Sequence, residues 1–142
     1  MKDAFGGVVT ITFIAVFLVI VSGVLGLTVS YTKAFRMKNF VISAIEKYEA
    51  RGCFSANSGC RDLINEGAKK IGYSSSIDLN CPSGFDKVEG LFCYQKNPTD
   101  GENIIYKVIT QVDIDIPIIN KLMGLSFFQI NGDTRPIEKG NW

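Results

Sequence analysis

The sequence predicts an α+β fold in which one long N-terminal helix, apolar and then amphipathic, packs on a small antiparallel β-sheet head. Three observations predict it. No charged side chain occurs from Ala4 to Thr32, a run of 29 residues. The next stretch, from Lys33 to Arg51, contains no Pro or Gly and carries apolar residues at helical spacing. Farther on, Tyr106, Val108, Thr110, Val112, Ile114 and Ile116 alternate with Lys107, Gln111, Asp113 and Asp115, the two-residue period of a strand with one buried and one wet face.

Within the uncharged run, Val8 to Leu27 reads VVTITFIAVFLVIVSGVLGL, twenty residues. As a helix these would rise about 30 Å, the thickness of a bilayer hydrocarbon core. A single membrane span is therefore expected over residues 8–32, preceded by a short segment at 1–7 and followed by a head over 33–142. A buried core helix fits poorly, because so small a domain cannot surround a uniformly apolar cylinder of that length. A removed signal peptide fits poorly too, since the stretch exceeds a usual apolar signal core and lacks a small-x-small cleavage pattern.

The helix is expected to continue past the span, with Gly52 as its first stop signal. Phe35, Ile42, Ile45 and Tyr48 would face the head's core, with Val41 also apolar. Lys33, Arg36, Lys38, Glu46, Lys47, Glu49 and Arg51 would face water. From Val8 to Arg51 such a rod would be about 66 Å long.

All four cysteines, Cys53, Cys60, Cys81 and Cys93, follow the span. None forms a C-x-x-C pair and there is no histidine, so a zinc site would need four thiolates at uncharacteristic spacings. Disulfides are expected instead, which puts the head in an oxidising, extracytoplasmic compartment. Three pairings are open. Cys53 with Cys60 and Cys81 with Cys93 are favoured because each joins neighbours across a turn-rich segment. Lys33, Arg36 and Lys38 argue the other way, since basic residues flanking a span favour the cytoplasmic side. Here they belong to a periodic amphipathic helix, and the cysteines are given the greater weight.

The remaining elements are short. Arg61 to Ile71 reads as a helix with Leu63, Ile64, Ala68 and Ile71 on one side and Gly72 at its end. Tyr73 to Gly90, rich in Ser, Gly, Asp and Pro, reads as loop. Strands follow at Leu91–Lys96, at Ile104–Ile116 after the turn Asn97–Gly101, and at Leu125–Asn131, the last ending at Asn131-Gly132. Pro117 breaks the middle strand, and a helical turn is expected over Ile118–Met123.

Composition narrows function. With 142 residues there is room for one domain and one appended segment. Fifteen basic against 14 acidic residues leave no excess to neutralise phosphates, which excludes a typical nucleic-acid binder. Absence of histidine removes the commonest general base and metal ligand. No G-x-S-x-G, P-loop or G-x-G-x-x-G is present. Asp113 and Asp115, about 7 Å apart on one strand face, are the nearest acidic pair and are read as solvated charges. Asp78, Asp86, Asp100 and Glu102 lack calcium-loop spacing. No catalytic, cofactor or metal residue is assigned.

The organisation resembles the type IV filament superfamily: type IV pilins, secretion-system pseudopilins and pilin-like proteins of tight-adherence systems. The residues that carry the resemblance are MKDAFGG, ending at Gly7, directly before the apolar helix from Val8. Similarity implies cleavage between Gly7 and Val8 by a prepilin peptidase, an assembly platform, and partner subunits packed along the N-terminal helix. The family's usual glutamate would fall at Thr12, a departure better suited to a minor or initiating subunit. Ser22, Gly26 and Ser30 recur every four residues and offer a small-residue stripe for close helix packing. Gly23 and Gly26 also lower local helix propensity. The alternative is a single-pass, membrane-tethered accessory or binding module that does not polymerise.

Overall fold

In the computed structural model the chain runs α1 (Lys2–Lys47), α2 (Gly59–Ile71), β1 (Asp86–Val88), β2 (Phe92–Pro98), β3 (Asn103–Asp113), β4 (Phe127–Asp133) and β5 (Ile137–Glu138). The structure describes residues 2–56, 58–73, 78–88, 90–99, 101–114, 124 and 127–139, with side chains from residue 6 onward. The α+β architecture is as expected: a long N-terminal helix lies against an antiparallel sheet. Asp115, Ile116, Pro117 and the expected turn at Ile118–Met123 lie outside the described residues.

Helix α1 has 46 residues, about 69 Å at the standard rise. It starts at Lys2, ahead of the expected Val8, and stops at Lys47 rather than Arg51. The early stop is a Schellman closure. Ala50 N–H donates to Ile45 O at 2.8 Å and Glu49 N–H to Glu46 O at 3.4 Å, with Glu49 and Ala50 at positive φ (49° and 64°). Helix α2 ends by the same pattern, Tyr73 N–H to Ala68 O and Gly72 N–H to Lys69 O, with Gly72 at φ 67°. Only the second closure places a glycine at the left-handed position, which is why only the second stop is visible as a residue type.

The buried seam of α1 is Ala34, Met37, Val41, Ala44 and Ile45, spaced by three and four residues. Phe35, expected in the core, is 41% exposed. Thr110 of β3 donates its hydroxyl to Ala34 O at 3.1 Å, so the sheet meets the helix at a small residue of the seam. Phe35 is left at the edge. There it stacks on Tyr31 (centroids 6.3 Å apart), with Lys38 Nζ 4.4 Å from its ring centroid.

Helix α2 lies antiparallel to α1. Near its start, Cys60 Sγ is 3.8 Å from Ala44 O. In its middle Phe40 covers Gly67, and at its end Lys33 reaches Gly72.

Sheet order is β1-β2-β3-β4, all antiparallel, with β5 also on β3. β1 lies within the segment expected to be loop. It pairs antiparallel with β2, and at their junction Leu91 N–H bonds Val88 O and Gly90 has φ 71°. β4 pairs Lys107 with Asp133, whereas β5 pairs Ile104 with Ile137. Three residues, Thr134, Arg135 and Pro136, thus oppose two, Ile105 and Tyr106, which makes a bulge. Its extra residue turns Ile137 onto the core face with Ile104 and Val108, and all three are buried. Gly132, expected to end a strand, lies inside β4. A methyl built on it would come 3.0 Å from Ile42 Cδ1 and Lys38 Cδ, so α1 crosses there.

The second face of β3 is less wet than its alternation suggests. Ile109 is 5% and Gln111 2% exposed. Leu79, Cys81 and Phe85 pack there with Cys93 and Ile109, forming a second small core behind the sheet.

The Gly67 contact gives a direct test. A methyl at Gly67 would lie 2.1 Å from Phe40 Cε1. Gly67→Ala should destabilise the full-length protein in detergent by about 1–3 kcal/mol, despite alanine's better helix propensity. Adding Phe40→Leu should recover part of the loss in urea unfolding curves.

Candidate functional site

The feature that stands apart from an ordinary small domain is the first half of α1. Its large apolar side chains from Val8 to Val29 are 37–72% exposed, except for half-buried Leu27. This helix is long and apolar enough to cross a membrane. Its polar groups fit such a setting. Thr10, Thr12, Ser22, Thr28 and Thr32 each donate a hydroxyl to a backbone carbonyl one turn back, at 2.6–2.9 Å. A hydroxyl satisfied within its own helix carries no unmet hydrogen bond into hydrocarbon.

Gly7 and Val8 lie within the helix, and Gly7 has open space beside it. Thr12 bonds Val8 O at 2.9 Å and adds no charge. Ser22 and Gly26 are exposed and Ser30 is half-buried. A side-chain carbon added at Gly26 would meet nothing within 4 Å, so the stripe is open to another helix.

In the head, Cys53 is bonded to Cys60 and Cys81 to Cys93. The first bridge ties the end of α1 to the start of α2 inside the main core; the second pins the 78–85 segment to the back of β2. Both short loops restrict the unfolded chain, which suits a domain with a thin core.

Among the described residues carboxylates do not converge. Asp113 accepts a hydrogen bond from Gln111 Nε2 at 3.0 Å, and Asp78 pairs with Lys87. Asp86 and Glu102 are exposed, while Asp100 and Asp115 lie outside the described residues. Among the described residues no group of three or more His, Cys, Asp or Glu could hold a metal. A pocket of about 100 Å³ at the far end of the head is lined by Glu49, Lys96, Ile104, Tyr106, Ile137 and Glu138 among others. It falls below the roughly 300 Å³ of small-molecule sites. Beside it Phe54 stacks on Tyr94 and Tyr106 with centroids 3.9 and 5.1 Å away, and burial raises the pKa of both tyrosines.

The end of the head from which the apolar half of α1 emerges, its stem end, was not visible in the sequence as a unit. Tyr31 stacks between Phe35 of its own helix and Phe128 of β4, with centroids 6.3 and 5.8 Å away. A methyl on Gly72 would lie 3.7 Å from Lys33 Nζ, so this ammonium sits at the C-terminal, electronegative end of α2. Beside it the Tyr73 hydroxyl donates to Gln111 O at 3.0 Å and accepts from Gln111 N–H at 3.1 Å. Pairing with β2 stops at Ile109, so a side chain substitutes for the missing strand partner. The residue signal for this end was modest: Lys69 and Lys70 just before Gly72, and Tyr31 just before Lys33.

No family model, curated protein or solved structure matches the chain.

Burial pushes the Tyr73 hydroxyl up from 10.0 to about 12, the Gln111 hydrogen bond opposing and the Asp113 charge adding. A raised folded-state value means stability is fully present below pH 10.0 and is lost as pH rises through about 12. Thermal melts of the full-length protein should show that loss. Tyr73→Phe should reduce the alkaline dependence and lower neutral-pH stability by about 1–3 kcal/mol, because both Gln111 backbone groups lose their partner.

Proposed function

We propose that the chain is a pilin-like structural subunit, of the minor kind, in a type IV pilus, pseudopilus or tight-adherence filament. The observation that carries this reading is the division of α1: one unbroken helix whose second half is the spine of a disulfide-stapled head and whose first half leaves nearly all its large apolar side chains exposed. An exposed apolar surface of that length needs cover. Lipid provides it before assembly, and the helices of sister subunits provide it afterwards. The head would lie outside the cytoplasm, where its disulfides persist.

Gly6 and Gly7 support the processing step. A peptidase must open the helix to reach the Gly7–Val8 bond, and two glycines reduce the helical free energy there by about 1 kcal/mol each relative to alanine. The open stripe of Ser22, Gly26 and Ser30 supports the packing step.

The second reading, a tethered accessory module that does not polymerise, is favoured by Thr12. Its hydroxyl is consumed by Val8 O, so no side-chain charge is available to pair with the amine of a neighbouring subunit.

Mass spectrometry of the cell-associated protein separates the two. A chain beginning at Val8 is expected for the filament subunit, and retention of Met1 would favour the tether. Gly26→Leu should weaken in-membrane crosslinking between copies about fivefold, equivalent to about 1 kcal/mol. Unchanged crosslinking would remove the stripe from the packing surface.

A further inference from the structure

We propose that the stem end of the head is a docking surface for anionic phospholipid headgroups, with Lys33, Lys69, Lys70 and Arg36 as phosphate-binding cations and Tyr31 and Phe35 as interfacial anchors. This rests on the reading of residues 8–32 as a membrane span and adds a lipid preference to it.

The antiparallel course of α2 creates the surface. Because α2 pairs Cys60 with Ala44, Gly67 with Phe40 and Gly72 with Lys33, its last turn returns to the point where α1 leaves the head. Lys69 and Lys70, distant in sequence from the span, are thereby set beside Lys33, and all three are exposed, as is Arg36. From Ala4 to Ile45, α1 carries no acidic residue. None of the ion pairs formed among the described residues involves these four cations. Among the described residues, the carboxylates on the adjoining ends of β3 and α2 are Asp113, engaged by Gln111 Nε2, and Glu66, one turn before Lys70. The cluster is therefore net positive.

Depth agrees with this. If the hydrocarbon boundary lies at Leu27, Tyr31 sits about 6 Å and Lys33 about 9 Å beyond it along the helix. The headgroup layer is about 5–8 Å thick, and lysine stems extend the reach of their ammonium groups toward it. Tyr31, 44% exposed, and Phe35 present partly exposed rings at that level, where aromatic residues anchor membrane proteins. Basic residues beside an anionic leaflet are attracted to it within a screening length.

A simpler role for Lys33, Lys69 and Lys70 is to offset the dipole of α2 alone. That role does not depend on lipid charge.

The test uses the full-length protein in nanodiscs of phosphatidylcholine, with and without phosphatidylglycerol, and reads hydrogen exchange of the amides at 69–73. Phosphatidylglycerol should slow exchange about fivefold or more, and high salt should abolish the difference. A Lys33→Gln, Lys69→Gln, Lys70→Gln variant should lose it. A Lys47→Gln, Lys96→Gln, Lys139→Gln variant, with the same charge change at the far end, should keep it. Equal exchange of the wild-type protein in both bilayers would overturn the proposal, as would a lipid difference that survives in the first variant. If that variant fails to fold, the wild-type salt response decides alone: a difference that persists in high salt overturns the proposal. Flotation with phosphatidylcholine vesicles separates this from the span. A protein that floats but shows no lipid preference refutes the docking surface only, whereas one that does not float refutes both.

Discussion

The contact on which the head depends is the seating of the α1 seam against β3. Ala34, Met37, Val41, Ala44 and Ile45 form one narrow stripe, and at its upper end the Thr110 hydroxyl reaches the Ala34 carbonyl. Small residues at 34 and 44 allow close approach. The phase set there decides which other residues are buried: Phe40 turns toward Gly67 of α2, Ile42 toward Gly132 of β4, and Phe35 toward the rim. The same stripe holds the rod in one orientation relative to the sheet, so the apolar half leaves the head in a fixed direction.

Most of this architecture was legible where a residue type and a conformation coincide. The uncharged run from Ala4 to Thr32 has few structural meanings, Gly72 marks a left-handed closure, and the alternation from Tyr106 to Val112 marks a strand. Legibility failed where conformation and residue type part company. Glu49 adopts the left-handed position usually given to glycine, so α1 ends before Gly52. β1 is only three residues long and its pairing depends on β2, which no local pattern reveals. Phe35 was assigned to the core by periodicity, but periodicity does not distinguish a seam centre from its shoulder, and the backbone contact at Ala34 determines that.

For the candidate site the division is similar. The apolar half of α1, the positions of Gly7, Val8, Ser22, Gly26 and Ser30, and the four cysteines are all features of one-dimensional spacing. The stem-end cluster is not. Lys33 and Lys69 are brought together only by the reversal of α2, and Tyr73 meets Gln111 across 38 residues. The burial of Ile109 and Gln111 behind the sheet likewise depends on the segment held by the Cys81–Cys93 bridge, a covering layer that alternation within β3 cannot announce.

The bulge between β4 and β5 makes the C-terminal segment unequally tolerant of changes in length. A regular ladder would place two residues opposite Ile105 and Tyr106, so removing one of Thr134, Arg135 or Pro136 would erase the bulge and still leave Ile137 beside Ile104 on the core face. Removing two would bring Ile137 opposite Ile105 and turn it outward. This edge should therefore accept the loss of a single residue more readily than the loss of two, while composition is free to drift at exposed Arg135.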